Sequence, residues 1–230
     1  MIWKEWREQI LQGGRMAVVR PALLLGILGV VVPIQAKNSW TELGGIAVFA
    51  EVWATLFLII NVVGDAFAGE RERHTLETLL ATRMPDRAIL FGKIAVMVAY
   101  AWTLLLVSLL LGVLAVNVTN WRGHISFYPA NLFIGTLGLG LVVDVFGAAA
   151  GVVVSLLSST VRQAQQTLAI GTTLLLFGGV AAVQSLPERF TSSLSEMQWV
   201  MLAIGVFLCL ALAVLSITIA RFKRARLIAN

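Results

Sequence analysis

The sequence predicts an all-α, polytopic membrane protein, and three observations carry that reading: the composition, six long apolar runs, and a lopsided distribution of lysine and arginine. Of the 230 residues, 59% are hydrophobic and only 13% charged, with a mean hydropathy of +0.90. An ordinary globular domain is roughly 45–50% apolar and about 25% charged. A bilayer-spanning helix needs about 20 predominantly apolar residues. Runs of that kind cover approximately Met16 to Ala36, Gly44 to Phe67, Ile94 to Val118, Leu132 to Leu157, Leu168 to Leu186 and Val200 to Ala220. They are too long and continuous for barrel strands, which would alternate over about ten residues. No stretch between them is long enough for a separate soluble domain, so residues 1–230 read as one membrane domain.

Taken in chain order, the first element is the leader "MIWKEWREQILQGG". Ile2, Trp3, Trp6 and Ile10 fall on one arc of a helical wheel, with Lys4, Glu5, Arg7 and Glu8 elsewhere. This predicts an amphipathic interfacial helix over residues 2–14, its tryptophans Trp3 and Trp6 at headgroup depth on membrane lipid. Gly13 and Gly14 end it. The first run has a basic flank and a small residue, Ala36, like a signal peptide, but its length and its mixed-charge leader favour a retained span. The loops after the third and fifth runs are short. Trp121, Phe127 and Tyr128 in one, and Trp199 closing the other, are placed as interface anchors. Cys209 lies in the last run, where a lone cysteine forms no intramolecular disulfide and serves as helix filler.

Orientation follows from the cations. Lys4, Arg7, Arg15, Arg20, Arg71, Arg73, Arg83, Arg87, Lys93, Arg162, Arg221, Lys223, Arg224 and Arg226 share one side, against Lys37, Arg122 and Arg189 on the other. That bias puts both termini and the segment 64–93 in the cytoplasm. It also accounts for the net charge of +5 without nucleic acid, for which no basic stripe with interleaved aromatics exists.

Between Phe67 and Ile94, 26 residues intervene, far more than a connection between two spans needs. Leu76, Leu79 and Leu80 make one apolar stripe, Glu70, Glu72 and Glu77 with Arg71 and Arg73 charge the remainder, and Met84-Pro85-Asp86 ends the helix and begins another segment. Acidic residues on that helix would be repelled by an anionic leaflet. A protruding helix of mixed charge suits a groove on another protein.

Here the chain resembles a family. Gly69-Glu70-Arg71-Glu72-Arg73, then Thr75-Leu76-Glu77 and Leu79-Leu80, then Pro85 and Gly92-Lys93, are similar to the coupling segment of ABC-2 type transporter permeases, with His74 where such permeases often carry a small residue. The resemblance implies the ABC-2, type V exporter-like fold: an interfacial N-terminal helix, six transmembrane helices, and a 64–93 segment that docks on a cytoplasmic ATP-binding subunit. It implies a permease that exports a substrate, paired with a second copy or a related permease in the cell inner (plasma) membrane. It further implies that ATP and Mg are bound by the partner subunit, with no cofactor in this chain. Gly69, Glu70, Arg71, Glu72, Thr75, Leu76, Glu77, Leu79, Leu80 and Pro85 are the residues it assigns to coupling. A cytochrome c maturation-type permease is the neighbouring alternative, and its equivalent loop usually lacks the Gly-Glu-x-Glu acids. From another class, a non-transporting scaffold whose loop recruits a soluble protein stays open.

Catalysis finds no support in the residues. There is no Gly-x-x-x-x-Gly-Lys-Ser/Thr loop to cradle phosphates, so the chain is expected not to be an ATPase. His74 and His124 fall on opposite sides of the membrane, which leaves no metal site. Asn117-Val118-Thr119 fits a glycosylation acceptor but is frequent by chance. Two acids remain that a bilayer penalises by at least about 2.5–3.5 kcal/mol each when charged, Glu51 in the second run and Asp144 in the fourth. Each is either on the transport path, as a polar patch or a protonation site, or a carboxyl fastening one helix to another, with Asn61, Thr55 or a backbone carbonyl as partner. For Asp144 the two accounts stand level, while Glu51, placed nearer the outer interface, suits fastening. Gly135, Gly138, Gly140, Gly147 and Gly151 give the fourth run a smooth face for close helix contact, within the subunit or between subunits.

Overall fold

The computed structural model describes residues 14–41, 45–72, 85–121, 123–191 and 193–221, and among them every regular element is helical. The interfacial helix with Trp3 and Trp6, and the stripe with Thr75, Leu76, Glu77, Leu79 and Leu80, lie outside the described residues. In chain order α1 is Gly14–Gly26, followed by a π-helical turn Ile27–Val31 and α2, Val32–Ala36. Then come α3 (Asn38–Thr41), α4 (Gly45–Glu72), α5 (Asp86–Thr119), α6 (Ala130–Leu157), α7 (Val161–Gln184), the single turn α8 (Glu188–Thr191) and α9 (Glu196–Arg221).

The π turn has a local cause. Pro33 has no N–H to offer and its ring presses on the carbonyl one turn back, so the helix widens just ahead of it. Lys37, at φ 54°, then breaks the direction of the chain.

Among the described residues, four helices are long and apolar enough to cross a membrane: Arg87–Thr119, Ala130–Leu157, Val161–Gln184 and Glu196–Ala220. The apolar stretches Pro21–Ala36 and Ala47–Ile60 are shorter. Several helices outrun the apolar runs that announced them. α4 continues to Glu72 and α5 begins at Asp86 with Pro85 as its N-cap, so only residues 73–85 separate them. α7 begins at Val161, seven residues ahead of its apolar run, with the Thr160 hydroxyl accepting from Gln163 N. Polar first turns are invisible to a hydropathy window but are good helix once capped.

α6 is the centre of the bundle, packed against α9, α4 and α5. Its glycines explain why. A Cβ at Gly140 would collide with Leu105 of α5, and at Gly147 and Gly151 with Leu56 and Val63 of α4. A Cβ at Gly135 would come within 3.1 Å of Val200 of α9. The smooth face therefore serves contacts within the chain. The pairings Gly147 with Leu56, Gly151 with Val63, and Ser155 with Phe67 climb together in number, so α4 and α6 run parallel.

Two apolar clusters fill the interior. One gathers Trp40, Val52, Leu56, Leu109, Tyr128, Leu139 and Val143, and the other Ile59, Val63, Phe67, Ile89, Leu90, Met97 and Val152. Tyr128 corrects its expected role as an interface anchor: it is 3% exposed, its hydroxyl donates to Leu109 O at 3.0 Å, and it abuts Gly112. Trp121 and Phe127 are exposed as expected. Asn117 is engaged with the chain. Its Nδ2 donates to Val113 O and Ser126 O, and its Oδ1 accepts from Ser126 N at 2.7 Å.

Candidate functional site

Three groups of polar residues stand out against this apolar background, and the first surrounds Asp144. Asp144 is fully buried where the two apolar clusters meet, and neither carboxyl oxygen has a hydrogen-bond partner among the described residues. Thr55 of α4 is its neighbouring hydroxyl, but that hydrogen is donated to Val52 O at 2.9 Å. Thr55 lies close enough to hold the carboxyl to α4 if its hydroxyl turns from Val52 O.

Glu51 belongs to a second group, one turn along α4 from Thr55. It is 1% exposed rather than reaching water, and Ser108 Oγ of α5 donates to its Oε1 at 3.0 Å. A small pocket adjoins it, lined by Leu24, Leu28, Glu51, Thr55, Leu105 and Ser108. The hydrogen bond from Ser108 joins α4 to α5. An isolated serine inside "LLLVSLLLG" was the available signal.

The third group gathers at the opposite end of α4, where the Gly-Glu-x-Glu residues fall. Gly69 is buried and Arg71 continues the helix. Lys93 Nζ of α5 lies 2.9 Å from Glu70 Oε1 and 5.1 Å above the ring of Phe67, with Lys93 only 2% exposed. Val161 N, the first residue of α7, donates to Glu72 Oε1 at 2.8 Å. Ser155 Oγ of α6 accepts from two successive backbone groups of α4, Phe67 N at 3.1 Å and Ala68 N at 3.0 Å. Pro85 is exposed at the start of α5. Sequence reasoning named Glu70, Glu72 and Lys93 but had no reason to join them to Ser155 or to Val161, which are far away in the chain.

A model of the ABC-2 type transporter family matches residues 1–212. The chain belongs to that family. No curated protein matches it. As an ABC-2 permease it is a multi-pass membrane protein, the transmembrane, non-catalytic kind of subunit in ABC transporters, a family that normally works with ATP-binding subunits and is often dimeric.

Proposed function

We propose that the chain is the membrane-spanning subunit of an ATP-driven exporter in the cell inner membrane, with six spans and both termini in the cytoplasm. Two such subunits work with two separate ATP-binding subunits, which hold ATP and Mg. The observation that supports the reading is that α4 ends at Glu72 and α5 begins at Asp86, so the Gly-Glu-x-Glu acids and Pro85 flank a short connection rich in cations. A helix of 28 residues rises about 42 Å, so α4 is long enough to be a span although its apolar core is short. The helical stretch from Gly14 to Ala36 is the first span.

Pairing of two subunits is supported by α7. Gln166, Thr167 and Thr173 are exposed on one side of it, and Gly171, Gly178 and Gly179 have open space where a Cβ would be. Polar side chains on a span avoid lipid and turn toward protein or a water-filled path. A path between two copies would receive them. Asp144, the unpartnered carboxyl of α6, is the residue assigned to substrate movement, and Glu51 has the fastening role.

The coupling stripe provides the test. Leu76→Asp with Leu79→Asp should release the ATP-binding subunit in a pull-down from detergent while the chain stays inserted. Retention of that subunit would overturn the docking role, and a co-purifying partner without ATP-binding motifs would favour the scaffold reading.

A further inference from the structure

We propose that Glu70, Glu72 and Lys93 are positioning residues: with Ser155 they form a joint that ties the last turns of α4 to α5, α6 and α7, so that a displacement of segment 73–85 is passed to three helices at once. The inference rests on the coupling role of that segment. It gives the acids a task inside the chain, distinct from contact with a partner.

Each link has its own chemistry. Lys93 is almost completely buried, and a buried ammonium needs a carboxylate. Glu70 supplies one at 2.9 Å, and the face of Phe67 adds to it. The link therefore ties α4 to α5 through a charge that cannot be abandoned cheaply if the helices part. At α7 the first backbone N–H groups have no partner within their own helix. Thr160 accepts from Gln163 N, and Glu72 accepts from Val161 N, placing a negative charge at the positive end of the helix. Ser155 has the third task. Its hydroxyl oxygen takes two successive N–H groups of α4, which joins α6 to the backbone of α4 rather than to a side chain.

Phe67 and Ala68 thus face α6, Glu70 faces α5 and Glu72 faces α7, and α4 ends immediately afterwards. Two of the three links are charge-assisted and directional. Apolar packing alone would let α4 slide along its neighbours, whereas these links fix its height and rotation.

The test uses the full-length chain purified with its ATP-binding subunit, in a Cys209→Ala background carrying Thr173→Cys on the exposed side of α7. The reading is the rate of thiol labelling at Thr173→Cys, with and without ATP and vanadate. Wild type should change its rate several-fold on addition of ATP and vanadate. Glu72→Gln and Lys93→Met should keep the ATP-binding subunit in the pull-down and lose most of that change. A wild-type response in both variants would overturn the joint, as would release of the ATP-binding subunit, since the acids would then be docking on the partner. If the wild-type chain brings down no ATP-binding subunit, the transporter reading fails, and the joint is judged on the chain alone. There, Glu70→Lys and Lys93→Glu should each lower the melting temperature, and the double reversal should recover most of the loss. Additive losses would refute the pairing.

Discussion

α6 and α7 are consecutive helices of similar length, 28 and 24 residues, yet half of the apolar window of α6 is buried and only 6% of that of α7. Both are rich in glycine. The difference is that the α6 glycines at 140, 147 and 151 are occupied by Leu105, Leu56 and Val63, whereas those of α7 at 171, 178 and 179 meet nothing. In a membrane, small residues are where backbones come close. α6 has already used its small residues within one chain. α7 carries the same type of surface toward something outside it, which is why the pairing proposal falls on α7.

The sharpest way to break the comparison is to fill one glycine on each helix. Gly151→Leu forces a side chain into Val63 and should destabilise the chain by about 3 kcal/mol, the upper part of the range for an overpacked core. Gly178→Leu should leave the stability of the single chain unchanged. Thermal unfolding in detergent at a concentration where the chain is monomeric checks both, and equal losses would erase the distinction.

Asp144 gives an intermediate effect with an unusual sign. An unpartnered buried carboxyl costs the fold, so Asp144→Leu should stabilise the chain by about 2 kcal/mol, somewhat less than the roughly 2.5–3.5 kcal/mol insertion penalty of a charged acidic residue at mid-helix. If Asp144 lies on the transport path, the same variant should lose transport while it gains stability. A loss of stability instead would reveal a donor and return Asp144 to a fastening role.

The smallest effect is expected on α7. Gln166→Leu and Thr173→Val remove exposed polar groups and should alter the stability of the isolated chain by less than about 0.5 kcal/mol, as surface changes do. Their effect should appear as a shift in the dimer fraction, read by light scattering in detergent. An unchanged fraction would leave α7 facing lipid.

Much of the helical fold was legible because long apolar runs have few other solutions in a bilayer. What escaped was the helix ends. Asp86 to Lys93 and Val161 to Thr167 carry charges and glutamines, so a hydropathy reading takes them for loop, while the helices start directly after Pro85 and after the Thr160 hydroxyl cap. The Glu51 link was half legible: the carboxyl stands out in hydrocarbon, but Ser108 is 57 residues away and no local spacing predicts the meeting. Tyr128 misled for a simpler reason. An aromatic beside a span end reads as an interface anchor, and only the glycine at 112, which leaves room beside Trp40, shows that the ring goes inward.

The length of α5 carries a mechanical consequence. Its 34 residues rise about 51 Å at about 1.5 Å each, against a hydrocarbon core of about 30 Å, so some 20 Å of unbroken helix is left over. Lys93 stands two turns from the Asp86 end, within reach of that excess. No proline or π turn interrupts the helix on the way, so the overhang and the membrane part behave as one stiff rod. If segment 73–85 couples as proposed, such a rod would act as a lever: a push at the Asp86 end, where Ile89 and Leu90 are packed into the bundle, would be felt as far as Thr119.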